Sequence, residues 1–163
     1  MLKEVFDEIL QHVLRACREE YGARLVSLAA FGSVARGTMG PESDVDLLLV
    51  ADPLPQGRMA RVREFEAVDR SLAVLLRAAA ARGVHTVLAP VLKTPEEVRF
   101  GSPLFFDMTR EVRILADQDG FLRGYLDGLA SRLEALGARR IAKAGGYYWL
   151  LKPDLEPGEE ICL

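Results

Sequence analysis

Cysteine and histidine are scarce. The chain holds Cys17, Cys162, His12 and His85, with no CxxC pair among them. That excludes the usual thiolate and imidazole cages for zinc or iron. Two lone thiols this far apart read as reduced and structural, as in a cytosolic protein. A GxxxxGK[ST] run is absent, which excludes a P-loop. No stretch approaches the roughly 20 apolar residues of a membrane span. The opening segment, MLKEVFDEILQHVLRACREEYG, carries charge at helical spacing and has no apolar core, so no secretory signal is expected there. Charge is not one-sided either: 21 Lys and Arg stand against 24 Asp and Glu, a net of −3. That argues against a protein that coats nucleic acid by bulk electrostatics, and leaves room for a local basic patch. These absences together lead us to expect a cytoplasmic protein.

What remains is a chain of 163 residues, half of them hydrophobic, enough for one domain with a true core. The apolar spacing of Val5, Ile9, Leu10, Val13, Leu14, Cys17 and Tyr21 predicts a helix over 2–21, stopped by Gly22. RLVSLAAF, 24–31, reads as a short apolar strand, and Ser43 to about Ala51 as a second. Residues 58–82 form a long helical pattern through Val62, Phe65, Val68, Leu72, Leu75, Leu76 and Ala79. VHTVLAPVLK is a third strand, with Pro90 implying an edge position or a bulge. Thr94, Pro95 and Glu97 spell a capped helix start. EVRILAD reads as a short fourth strand or an extended piece. A leucine stripe from Leu122 to Leu136 marks a last helix, over 119–138. The aromatic, then Pro- and acid-rich tail reads as extended. Helices and strands alternate, giving an α/β or α+β class. The segment between the first two strands is too short for an ordinary parallel crossover, so the sheet is expected to be mixed.

The chemistry lies in F31-G32-S33-V34-A35-R36-G37-T38-M39-G40-P41-E42-S43-D44-V45-D46. Gly32 follows a strand and lets a ligand approach the backbone. Ser33 opens a short helical segment whose hydroxyl and free N–H groups can hold phosphate. Asp44 and Asp46 stand two apart at a strand, and so share one face. Such a carboxylate pair repels itself without a cation between, and hard oxygen ligands of this kind suit Mg²⁺. Phosphate-holding groups beside paired carboxylates are what metal-assisted phosphoryl transfer requires.

This stretch resembles the signature of the nucleotidyltransferases of the DNA polymerase beta superfamily: a Gly-Ser, a spacer, then Asp-x-Asp. It is especially similar to the minimal nucleotidyltransferases of prokaryotes, in which ARG follows the Gly-Ser. The resemblance implies a mixed sheet flanked by helices, here over residues 1–116. A C-terminal helix and extended tail, 117–163, would pack on the same domain. It implies transfer of a nucleoside monophosphate, with AMP from ATP the first expectation, to an acceptor hydroxyl with loss of pyrophosphate. Carried over by position, Asp44 and Asp46 would be catalytic and hold Mg²⁺, as two ions. Gly32, Ser33, Arg36 and Ser43 would bind the nucleotide. Arg36 has a competing role as a surface arginine paired to Glu42, and Ser43 a competing role as a turn residue beside the aspartates. The resemblance also allows a second class: a catalytically weak, antitoxin-like module acting on a helical HEPN-type protein partner.

The superfamily places a third carboxylate on a later strand, and the third strand here has no acid. Glu96, Glu97 and Asp107 lie beyond it. His85 is the one ionisable group from Val84 to Leu92, more simply read as structural than as a base. An acidless third strand also counts against small-molecule antibiotic nucleotidylation. Arg139, Arg140 and Lys143 cluster before Gly145-Gly146, a nucleic-acid contact or, more simply, a solvated face. Tyr147, Tyr148 and Trp149 suit anchoring of the tail better than stacking on a base. The leucine stripe is core, or a helix-to-helix dimer contact.

Overall fold

A computed structural model describes residues 1–163. The first helix, α1 (Leu2–Tyr21), carries its apolar stripe as expected, with Val5, Phe6, Ile9, Leu10, Val13, Cys17 and Tyr21 buried. Strand β1 (Leu25–Phe31) runs straight into the short helix α2 (Gly32–Arg36). Strand β2 (Val45–Ala51) follows, then helix α3 (Arg58–Ala81) and strand β3 (Leu88–Lys93). Two short helices come next, α4 (Pro95–Phe100) and α5 (Leu104–Met108), the second unanticipated in the sequence. Strand β4 (Arg113–Asp117) and helix α6 (Phe121–Ala135) lead into strands β5 (Arg139–Lys143) and β6 (Gly146–Leu150).

Four strands make one mixed sheet in the order β3-β2-β1-β4. β1 is antiparallel to both β2 and β4, and β2 is parallel to β3. Alternation along each strand divides the interior in two. Val45, Leu47 and Leu49 of β2 face α1 and α3, with Phe6, Ile9, Phe65 and Leu72. Leu48 and Val50 face the other way, with Val98, Phe105, Leu122, Leu126 and Leu129 of α4, α5 and α6. Leu122, Leu126, Leu129 and Leu133 of the stripe are therefore internal, nearly without exposure, while Leu136, just past α6, is half-buried.

Three expectations need correction. The third strand begins at Leu88, not Val84, so His85 lies on an exposed loop. That loop is tied sideways, its His85 N–H donating to the Pro41 carbonyl at 2.8 Å. The tail is not simply extended: Arg139–Lys143 and Gly146–Leu150 pair as an antiparallel hairpin, turning at Ala144-Gly145. Gly145 has φ 83°, a left-handed conformation that glycine supplies without a side-chain clash. Nor is Arg140 a solvated residue: its guanidinium donates twice to Glu111, at 2.6 and 2.7 Å. Trp149 does anchor the hairpin, its Nε1 donating to Asp107 at 2.8 Å and its ring packing edgewise on Phe106.

Both cysteines are free. Cys17 is in the core, where burial pushes its thiol up to about 12. Cys162 is exposed, so only Cys17 has the structural role expected of both.

Candidate active site

The site sits where β1 ends and β2 begins. Their antiparallel register sets Phe31 opposite Asp46, so the chain leaves β1 beside the residue on which it later re-enters the sheet. Asp46 lies on the face of Leu48 and Val50, at the open end of that face beyond the cover of α5 and α6. Asp44 directly precedes the strand and is exposed. Its charge and burial act together on Asp46: desolvation first, then the negative Asp44, hold the Asp46 carboxyl above its usual range, with Arg36 opposing. Neither aspartate takes part in any of the chain's ion pairs.

Gly32 is required twice over. Its φ is 67°, and a Cβ there would collide with the Asp46 carboxylate. The bare backbone thus packs against the acid. α2 starts at this glycine with no side chain capping it, so its first N–H groups stay free to donate. Ser33 lies among them. Gly37, at φ 73°, ends the helix, its N–H bonding back to the Ser33 and Val34 carbonyls. The spacer is fastened in turn. Ser43 Oγ accepts from the Gly40 N–H at 2.8 Å, while the Ser43 N–H donates to the Gly40 carbonyl at 3.1 Å. Ser43 therefore closes the loop that delivers Asp44.

Arg36 is exposed and forms no ion pair, with Glu42 or any other acid. Its charge favours ionisation of Asp46 and also of Glu111, which its Arg140 partner holds low in the first place. Arg36 is thus a free cation between the aspartates and the base of the C-terminal hairpin.

The other acids weighed from sequence are engaged elsewhere or stand at the surface. Glu97 completes the capping box of α4 with Thr94 and takes both arms of Arg61, at 2.7 and 2.8 Å. Asp107 accepts from Trp149. Glu96 is exposed on the α4 surface. The parallel register sets Ala89 beside Asp46, so the neighbouring strand offers no acid at that level. No three His, Cys, Asp or Glu side chains gather as a metal cage.

Beside Asp46 opens a cleft of about 810 Å³, lined by Phe31, Ala89, Val91 and residues of α3. Asp69 also lines it, and sequence reading passed it over by counting only apolar positions. It stands four residues after Phe65 and three before Leu72, a place on the buried face where an acid is out of pattern. Burial first, then Glu66, hold its carboxyl high. Yet α3 covers the opposite face of the sheet from Asp46. The cleft bends around the edge of β3, and Asp69 does not meet the aspartate pair.

Known proteins resemble this chain in sequence and in fold. The nucleotidyltransferase domain profile matches residues 10–97, more than half of the chain and all of the Gly-Ser and Asp-x-Asp segment. The chain belongs to the nucleotidyltransferase family. It is 34% identical over 129 residues to MJ1305 of Methanocaldococcus jannaschii, covering 78% of this chain and 80% of that protein. The relative's name, protein adenylyltransferase, is itself provisional. Among solved structures, the spectinomycin adenyltransferase AAD(9) of Enterococcus faecialis, with ATP and spectinomycin, superposes with a TM-score of 0.53. Identity is 10%, over 78% of this chain and 67% of that one, so the likeness is one of fold. A toxin–antitoxin structure with AMP-PNP gives 0.48 at 18% identity, over 77% and 87% of the two chains. As a nucleotidyltransferase, this chain has the mixed sheet with flanking helices that its sequence implied.

Proposed function

We propose that this nucleotidyltransferase moves AMP from ATP to a hydroxyl on a protein acceptor, with Mg²⁺ as cofactor. The observation that carries the reading is Asp46, with the charge of Asp44 beside it, packed on bare Gly32 at the uncapped start of α2. The name of the 34% identical relative supports adenylyl transfer and a protein acceptor.

The donor set fits a hard divalent cation. It consists of two carboxylates, free of ion pairs, in which burial and then the neighbouring charge already raise Asp46. Mg²⁺ held by Asp44 and Asp46 would neutralise the pair and the phosphate oxygens brought beside it. Every other part belongs to the chain. The α2 N–H groups, the Ser33 hydroxyl and Arg36 would hold the outer phosphates, on the β1 side of Asp46. Gly32 sets how closely they approach. Ser43 keeps the spacer loop closed so that Asp44 stays on station. The acceptor oxygen attacks the α-phosphorus, the bond from that phosphorus to the bridging oxygen breaks, and pyrophosphate leaves with the electron pair. The hydroxyl proton passes to water. Positioning and charge neutralisation dominate such transfers, so a weak base costs less here than in acyl chemistry.

Ala89, standing beside Asp46 on the neighbouring strand, favours a second reading. In it the chain binds nucleotide but turns over slowly, as an antitoxin-like module on a helical partner. One assay separates the two: incubation with α-labelled ATP, Mg²⁺ and lysate proteins of the source cell. Label on a protein, lost with Asp44→Asn, supports transfer. Tight ATP binding without any labelled product supports the second reading, and full transfer by Asp44→Asn overturns the site.

A further inference from the structure

The cleft beside Asp46 draws its walls from both faces of the sheet. Phe31, Asp46 and Val91 lie on the α5–α6 side, while Phe65, Leu88 and Leu92 belong to the α3 side. A cavity lined from both faces of a strand follows that strand's free edge, and β3 is an edge strand. The ladder tells which backbone groups point into it. The Val87 carbonyl accepts the Val45 N–H at 2.9 Å. In a parallel pair the groups turned to the neighbour recur at every second residue, so Ala89 and Val91 also turn toward β2. Leu88, Pro90 and Leu92 turn outward.

The two ends of that edge differ. At the far end Arg61 reaches over from α3, takes the Leu92 carbonyl at 3.4 Å, and pairs with Glu97 of α4. The ion pair closes the edge there, the protection exposed edges commonly have. At the near end, the Leu88 N–H and carbonyl and the Pro90 carbonyl stay open. Pro90 stands where its missing N–H would have faced outward, so β3 loses no ladder bond. Ala89, beside Asp46, contributes only a methyl group, leaving space for another side chain.

We infer that the acceptor enters this groove as an extended polypeptide segment, pairing with the open Leu88–Pro90 edge and setting a hydroxyl side chain over Ala89 beside Asp46. The inference rests on the protein-acceptor reading above and gives it a binding mode. Phosphate-holding groups occupy the β1 side of Asp46, so the β3 side is left for the acceptor. Strand addition matches the alternate donors and acceptors that the edge presents. Of the cations lining the cleft only Arg58 and Lys93 are unpaired, Arg61 being held by Glu97, and two fall short of the row of free cations a nucleic-acid acceptor would need. Lys93 adds a preference. It lies four residues beyond Ala89 on the same face, about 13 Å along the strand, and has no ion-pair partner. The segment leaves the edge before Leu92, where Arg61 closes it, and an acidic residue about four positions from the modified hydroxyl complements the end of the long Lys93 side chain.

The test uses the full chain with Mg²⁺, ATP and synthetic peptides. Each peptide carries one Ser, Thr or Tyr, with Glu or Lys four positions to either side. Glu peptides are expected to accept AMP about fivefold more efficiently in kcat/KM, the size of one half-exposed ion pair. Lys93→Glu is expected to reverse the preference while ATP affinity, measured separately, stays unchanged. Normal ATP binding with no peptide labelled, or labelling indifferent to charge in both proteins, overturns the groove and leaves the nucleotide site standing. Absence of ATP binding by the wild type would instead remove the reading on which the groove depends.

Discussion

Asp46 sits in a half-buried position with another carboxylate close by, and its pKa is raised for both reasons. For an acid raised in the folded state, the sign is fixed: the proton favours the fold, and stability is lost as pH rises through the folded pKa. Asp46→Asn removes that cost. Without divalent ions at neutral pH, the variant is expected to melt at a higher temperature than the wild type, with the gap closing as the pH falls through the raised Asp46 pKa toward about 4. An equal or lower melting temperature for the variant at neutral pH would mean that the pair is not strained. Gly32→Ala tests the other half of the contact. A Cβ forced against the carboxylate at positive φ is expected to cost about 1–3 kcal/mol in urea unfolding and to displace Asp46. At this scale the sequence was legible where the chemistry is contiguous: Gly32, Ser33, Arg36, Asp44 and Asp46 fall within fifteen residues. It was not legible at Asp69, Arg140 or Glu111, whose surroundings are made by elements distant in sequence.

Among the elements, β1, β4 and α6 meet at one side chain. Asp117 accepts from Ser27 Oγ at 2.7 Å and from the first N–H groups of α6, those of Leu122 and Arg123, at 2.8 and 2.9 Å. Ser27 is the chain's one buried polar residue. Asp117→Ala would strand its hydroxyl and uncap the helix, an expected loss of about 2–3 kcal/mol by urea denaturation. A loss below about 0.5 kcal/mol would show that the junction holds without it. Long helices were readable because apolar spacing repeats over several turns in α1, α3 and α6. Short pieces were not. α5 has five residues, less than two turns of pattern. The start of β3 slipped because Val84 is apolar and buried like a strand residue. Its backbone instead closes the end of α3, the Val84 N–H donating to the Ala79 carbonyl. In the tail, consecutive aromatics in place of alternation hid β6, whose residues Tyr147 and Tyr148 are both exposed.

Across the whole molecule, one sheet separates two hydrophobic clusters, and the site occupies the one end where the second cluster stops short. The groups proposed to hold phosphate lie on one flank of Asp46 and the open edge of β3 on the other. The fold class and mixed sheet followed from segment lengths, and Pro90 pointed to an edge place for β3, whereas the pairing of β4 with β1 at the other edge is recorded by no local pattern. The claim joining all three scales is that Asp44 and Asp46 make a metal-dependent nucleotide site. Calorimetric titration with ATP, with and without Mg²⁺, on the wild type and on Asp44→Asn/Asp46→Asn, tests it most directly. Saturable binding that requires Mg²⁺ and vanishes in the folded double variant is the predicted result; equal binding by both proteins, or none by the wild type, would contradict the account.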